Sequence, residues 1–216
     1  SGKRQDGITF LLIDMSSPGV SVNKISSIDD HHSLNEVVFD NVRVPTANRI
    51  GEEGKGWTYA KALLAHERTS IAAVADSKRK LRELRDLLAQ EVSGGRPLSE
   101  DTHFQNRLSN TEIELMALEY TELRVLASTA DGKGPGVESS LLKIKGTEIQ
   151  QAIQQMYMDL AGYYSGVIHG EDTEDTIGHA FGHSARQAYM YGRAATIYGG
   201  SNEVQKNITA KYVLGL

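Results

Sequence analysis

Glu67 is the first residue whose placement suggests chemistry, because it interrupts an apolar series at helical spacing. Leu63 lies four residues before it, Ile71 four after and Val74 seven after. On a helix that spacing puts a carboxylate on the apolar face. Low dielectric there would raise its pKa towards neutrality, where a general base or acid works best. The same spacing also suits a structural carboxylate at the edge of the stripe, paired with Arg68 or with an arginine on a neighbouring helix. The second candidate is "IYGGSNEVQKNI", in which Gly199 and Gly200 lead into a helix through Ser201 and Asn202, both good N-cap residues. Glycines let a ligand approach the backbone, and free N–H groups at a helix start favour an anion or a carbonyl oxygen. An ordinary capped turn between helices has the same composition.

His169, His179 and His183 flank the acidic run Glu171, Asp172, Glu174 and Asp175, and His179 and His183 are four apart, the spacing of a metal-binding pair. No glutamate completes an HExxH pattern, so a solvated acidic loop is the expected structure and no metal is assigned. Asp29, Asp30, His31 and His32 read as a turn. Trp57 and the Tyr189, Met190, Tyr191 group read as packing residues, and "KRKLRELR" as a solvated helix face. There is no GxGxxG loop and no P-loop, so a nucleotide or flavin would have to be held in another way.

The elements that must position these residues change period along the chain. Residues 8–45 read as strands, with "ITFLLID" and "NEVVFDNVRVP" as β-branched runs between turn-rich stretches. About three strands leave edges and one face uncovered, so the rest of that sheet is expected in sequence before Ser1. From Trp57 the spacing becomes helical, as one long helix or two in line up to Val92. Further helices are expected at 100–130, 139–160, 180–197 and 203–214, with Gly and Pro ending the second in "DGKGPG". The expected fold is mainly α, an up-down four-helix bundle preceded by a few strands of an incomplete β domain, with residues 1–52 in the β part and 53–216 in the bundle.

Composition narrows the function classes. The 216 residues carry a formal net charge of -5 with no basic stripe, which argues against nucleic acid as partner. There is no cysteine, hence no disulfide framework, thiolate nucleophile or cysteine-ligated metal. No run of about 18 apolar residues occurs and the start lacks the apolar core of a signal peptide, so no membrane span and a cytoplasmic location are expected.

The segments "GITFLLIDMSSPGVSV", "NEVVFDNVRVPTANRIGEEGKGW", "ERTSIA" and "RAATIYGGSNEVQKNITAKYVLG" fall in the order and at the separations of the acyl-CoA dehydrogenase family, which the chain resembles over essentially its whole length. The resemblance implies the C-terminal portion of such an enzyme: the tail of a middle β domain, then the helical bundle. Most of the family places a catalytic glutamate at the position held here by Gly199. A minority, resembling the isovaleryl- and long-chain-type enzymes, puts the base on the first bundle helix beside an arginine, and Glu67 followed by Arg68 matches that arrangement. On this comparison Glu67 is the base, Arg68 lies at the substrate, the Gly199 N–H receives the thioester oxygen, and Ser201, Glu203 and Gly162 fall at flavin-contacting positions.

The implied reaction is FAD-dependent α,β-dehydrogenation of an acyl-CoA, with electrons passing to an electron-transfer flavoprotein. FAD is expected in the full-length protein and not on this stretch alone. Positions that usually hold a neighbouring subunit's FAD are occupied by Glu91, Gly94 and Met158. A homo- or hetero-oligomer with a related subunit is therefore expected, the latter as in bacterial pimeloyl-type and steroid side-chain-type enzymes. The competing expectations are a family-derived scaffold without catalysis, a helical interaction domain without ligand, and acyl-CoA oxidase chemistry.

Overall fold

The computed structural model describes residues 2, 5–130, 136, 138–167, 178 and 180–216, with the backbone alone described at 65–69, 129 and 180. The chain divides into two compact units, residues 1–66 and 67–216.

In the first unit, β1 (Phe10–Leu11) pairs antiparallel with β4 (Arg49–Ile50), and β2 (Val20–Ile25) with β3 (Leu34–Phe39) in the register Val20 to Phe39. The sequence expectation of a longer first strand through "ITFLLID" is corrected, because only Phe10 and Leu11 form a ladder, with Ile8 in an isolated bridge to Lys55; β2 supplies the hairpin partner of β3 instead. Alternation along β2 and β3 does not produce a buried face: Val22, Ile25, Leu34, Val37, Val38 and Phe39 are all exposed. Such a hairpin is marginal alone. The Asp29 to His32 stretch is a turn, as expected: Ser27 Oγ lies 2.6 Å from Asp29 Oδ1 and 2.8 Å from the His31 carbonyl, and Asp30 takes a positive φ. Helix α1 (Gly56–Ile71) begins in this unit and ends in the second.

The second unit is a helical bundle of α2 (Val74–Gln90), α3 (Thr102–Ala130), α4 (Glu138–Ala161) and α5 (Ala180–Gly192), closed by the short α6 (Asn202–Thr209). Between α2 and α3 the chain makes a two-residue hairpin, β5 (Val92–Ser93) with β6 (Arg96–Pro97), turning on the positive-φ pair Gly94 and Gly95. Helix α4 is the centre of the unit, packing on α2, α3, α5 and α6. Its buried residues therefore run around most of its circumference, whereas α2 buries one stripe, Val74, Ser77, Leu81, Leu84 and Leu88, spaced by three and four. Leu142, Ile149, Ile153 and Met156 of α4 meet Leu84, Leu88, Leu108 and Leu115 in one core. Each such side chain contributes about 1.5–3 kcal/mol on burial.

The sequence left one long helix or two in line from Trp57 to Val92; the structure has two, because Ala73 adopts φ 48, ψ 41 between them. Two alanines are good helix formers, so no local residue breaks the helix. The cause is tertiary. Gly146 of α4 approaches Ala72 so closely that a Cβ there would stand 2.6 Å from Ala72 Cα, and the Gln150 amide donates to the Ile71 carbonyl at 2.9 Å, taking over an orphaned helix end. The break also ends the expected stripe: Val74 is buried but belongs to α2, while Leu63 is 65% exposed.

Tyr157 illustrates how α4 is fixed to α2. Its hydroxyl donates to the Lys80 carbonyl at 3.0 Å and its ring meets Phe181 edge-on. Burial, with a smaller contribution from the Glu83 carboxylate, pushes its pKa from 10.0 up to about 12. The folded state holds this proton more tightly than the unfolded chain does. Its stabilisation is therefore complete below pH 10 and is lost as pH rises through about 12. In a tyrosinate absorbance titration, Tyr157→Phe should remove a step near pH 12 and leave the titration around pH 10 intact; loss of a step near 10 would contradict this environment.

Candidate functional site

The Gly199–Gly200 turn is built from residues that only glycine conformations allow. Gly199 has φ 64 and Gly200 φ 85, and they deliver the chain to Ser201, whose hydroxyl accepts from the Val204 N–H at 3.4 Å and caps α6. The Gly199 carbonyl accepts from Gln205 Nε2 at 3.2 Å. Among the described residues, neither the Gly199 nor the Gly200 N–H donates to a backbone carbonyl. Two neighbouring N–H groups at a helix entrance suit an anion or a polarised carbonyl oxygen. Glu203 lies in the first turn of α6; its carboxyl is held below the ordinary carboxylate range, first by its own backbone N–H and then by the Ser201 hydroxyl.

Beneath the turn is a buried polar network that the sequence reading missed. Lys143 is 0% exposed, and its ammonium donates to Asn202 Oδ1 at 2.8 Å. Thr147, one turn further along α4, donates to the Lys143 carbonyl at 2.9 Å and lies 3.5 Å from the same Asn202 oxygen. Burial pushes the Lys143 pKa down and the Glu203 carboxylate pulls it back up. Its signal in the sequence is a lysine next to Leu142 and Ile144 on a helix otherwise rich in buried residues, close to a mid-helix glycine that costs stability unless something approaches it.

One face of α4 thus supports both sides of the site: Lys143 and Thr147 hold the turn, while Gly146 and Gln150 hold the end of α1. These four positions follow the spacing of a single helical face. The two sides meet, since a Cβ on Gly199 would run into Ile71 Cδ1. Positions 67 and 71 are four apart on α1, hence on the same face and about 6 Å apart along the axis. The side chains of Glu67 and Arg68 lie outside the described residues.

Other expected site residues lie elsewhere. Gly162 ends α4 with φ 55, nineteen residues after Lys143, or about 28 Å along the helix, so it is not brought to the turn. Gly94 forms the tip of the β5–β6 turn and Met158 lies on α4 beside the Tyr157 end. His169, His179 and the acidic run 171–175 lie outside the described residues. Among the described residues no group of three metal-ligating side chains gathers and no helix is long and apolar enough to cross a membrane. A groove of about 510 Å³ between α2, α4 and α5 is lined by Leu87, Ile153, Tyr157 and Phe181 and includes none of the candidate residues.

A family profile described as "Acyl-CoA dehydrogenase, C-terminal domain" matches residues 54–214. Among curated proteins, the chain is 28% identical over 214 residues to the acyl-CoA dehydrogenase IpdE1 of Mycolicibacterium smegmatis, covering 99% of the chain and 50% of that protein. It is 29% identical to IpdE1 of Mycobacterium tuberculosis, covering 99% and 52%. The chain therefore spans about half the length of these relatives. Among solved structures, an acyl-CoA dehydrogenase from Geobacillus kaustophilus superposes with a TM-score of 0.81 at 26% identity, covering 98% of this chain and 53% of that one. A chain of the ChsE4-ChsE5 complex from Mycobacterium tuberculosis superposes with a TM-score of 0.80 at 26% identity, covering 98% and 54%.

Proposed function

Because the chain belongs to the acyl-CoA dehydrogenase family, whose C-terminal domain it matches over most of its length, we propose that it is the C-terminal part of an enzyme that dehydrogenates an acyl-CoA thioester between its α- and β-carbons. Residues 1–52 are then the tail of a middle β domain and 53–216 the bundle carrying the site. The observation that supports this reading is the meeting of Ile71 with the Gly199 turn, because position 67 lies one helical turn before Ile71 on the same face of α1.

The division of labour follows from the chemistry. Glu67 removes the α-proton; the negative charge that develops on the thioester oxygen is met by the Gly199 N–H, which needs no side chain to act. Arg68, beside the base, orients the substrate. FAD, held in part by Ser201 and Glu203, would supply the hydride acceptor for the β-hydrogen and the route for electrons to an electron-transfer flavoprotein. Ser201 and Glu203 sit at the entrance of α6 where the chain can contact FAD from its own side, and the capped helix start there fits the polar part of such a group. Gly162 would contribute at a separate part of the flavin site. Glu91, Gly94 and Met158, standing where contacts to a neighbour's FAD are expected, favour assembly with a second, related subunit.

The test uses the full-length protein. With FAD bound and oxygen excluded, an acyl-CoA should bleach the flavin absorbance, and added electron-transfer flavoprotein should restore turnover. Oxygen consumption without that acceptor would mean an oxidase instead. A full-length protein that holds no flavin, alone or with a related subunit, contradicts the proposal and leaves an interaction domain.

A further inference from the structure

Lys143 is the largest fully buried side chain in the described structure, and its placement is costly. Removing an ammonium from water costs several kcal/mol after relaxation, so a core that required only volume would be served better by Met or Leu. Its hydrogen-bond acceptor is not a carboxylate but Asn202 Oδ1, on an element 59 residues away in sequence, with the Glu203 carboxylate acting only through its charge. Asn202 is the first residue of α6 and follows directly on Gly199, Gly200 and Ser201. Glycines with positive φ have the greatest freedom to leave that conformation. Two anchors restrain this pair from below: Gln205 at the Gly199 carbonyl and Lys143 at Asn202.

We propose that Lys143 is a positioning residue: through Asn202 it holds the Gly199–Ser201 turn, and thereby the N–H groups offered to the substrate oxygen, in one geometry from inside the core. The consequence for the substrate rests on the function proposed above, whereas the tether itself does not. Thr147 shares the Asn202 oxygen and keeps it facing α4. The end of α1 is held by the same helix, so the tether also fixes the turn relative to position 71.

The test has two readouts. In this chain, hydrogen exchange of the Val204 and Gln205 amides, which bond to Ser201 at the end of the turn, should quicken about tenfold in Lys143→Met and in Asn202→Ala. The double variant should be no worse than either single one, because both remove the same contact. Asn202→Ala keeps the core lysine and so serves if Lys143→Met does not fold. In the flavin-loaded full-length protein, kcat/KM should fall about tenfold at temperatures well below unfolding. A residue that merely fills the core would lower the melting temperature, leave exchange at the turn unchanged beyond the global effect, and leave kcat/KM within about twofold; that outcome overturns the tether. Faster exchange with unchanged turnover would uphold the tether and refute instead the assignment of this turn to the thioester.

Discussion

In the flavin-loaded full-length protein, Glu67→Gln should lower kcat by about 10²–10⁴-fold, the range expected when a general base is removed, with flavin content and KM nearly unchanged. Gln keeps the size and most of the hydrogen-bonding capacity of Glu but cannot accept the α-proton. A loss confined to kcat would mean that the carboxylate acts in the transition state and not in binding. Gly199 cannot take over the role: φ 64 strains any side chain there, and its Cβ would strike Ile71. Steady-state kinetics with any accepted acyl-CoA checks this. An unchanged kcat would remove the base from α1 and favour the scaffold reading.

Gly146→Ala should be strongly destabilising to the bundle. Its Cβ would lie 2.6 Å from Ala72 Cα and 2.7 Å from the Ala72 carbonyl oxygen, distances at which backbone has to move. In a helix interior Ala normally gains about 0.5–1 kcal/mol over Gly. Here overpacking against backbone should outweigh that gain, for a net loss of about 2–3 kcal/mol. For a chain of this size that is a fall of about 5–10 °C in melting temperature. Calorimetry on wild type and variant measures it. A neutral or raised melting temperature would show that α4 and the α1–α2 break are not in contact.

The helices were legible in the sequence because their apolar residues repeat at three and four, and α3 and α4 begin and end within two residues of expectation. The turn was legible from two glycines followed by two cap residues. What escaped had no local signature. The break at Ala72–Ala73 is imposed by α4 against local propensity, so a stripe read continuously from Leu63 to Val74 divides between two helices. The β5–β6 hairpin was hidden because two residues per strand are too few for a period. Lys143 was passed over because a lysine on a helix is normally solvated, and only the position of Asn202, 59 residues later, reveals why this one is not. The family resemblance supplied the role proposed for Glu67, which spacing alone left divided between a base and an ion-pair partner.

The geometry between α1 and the Gly199 turn, with substrate in place, is the most direct test of the proposed site. A crystal structure of the full-length protein with FAD and a non-reactive acyl-CoA analogue should show the Glu67 carboxylate about 3–3.5 Å from the α-carbon. In the same complex the Gly199 N–H should lie about 2.7–3.1 Å from the thioester oxygen. A thioester bound away from this turn, or a Glu67 carboxylate directed to solvent, would contradict it.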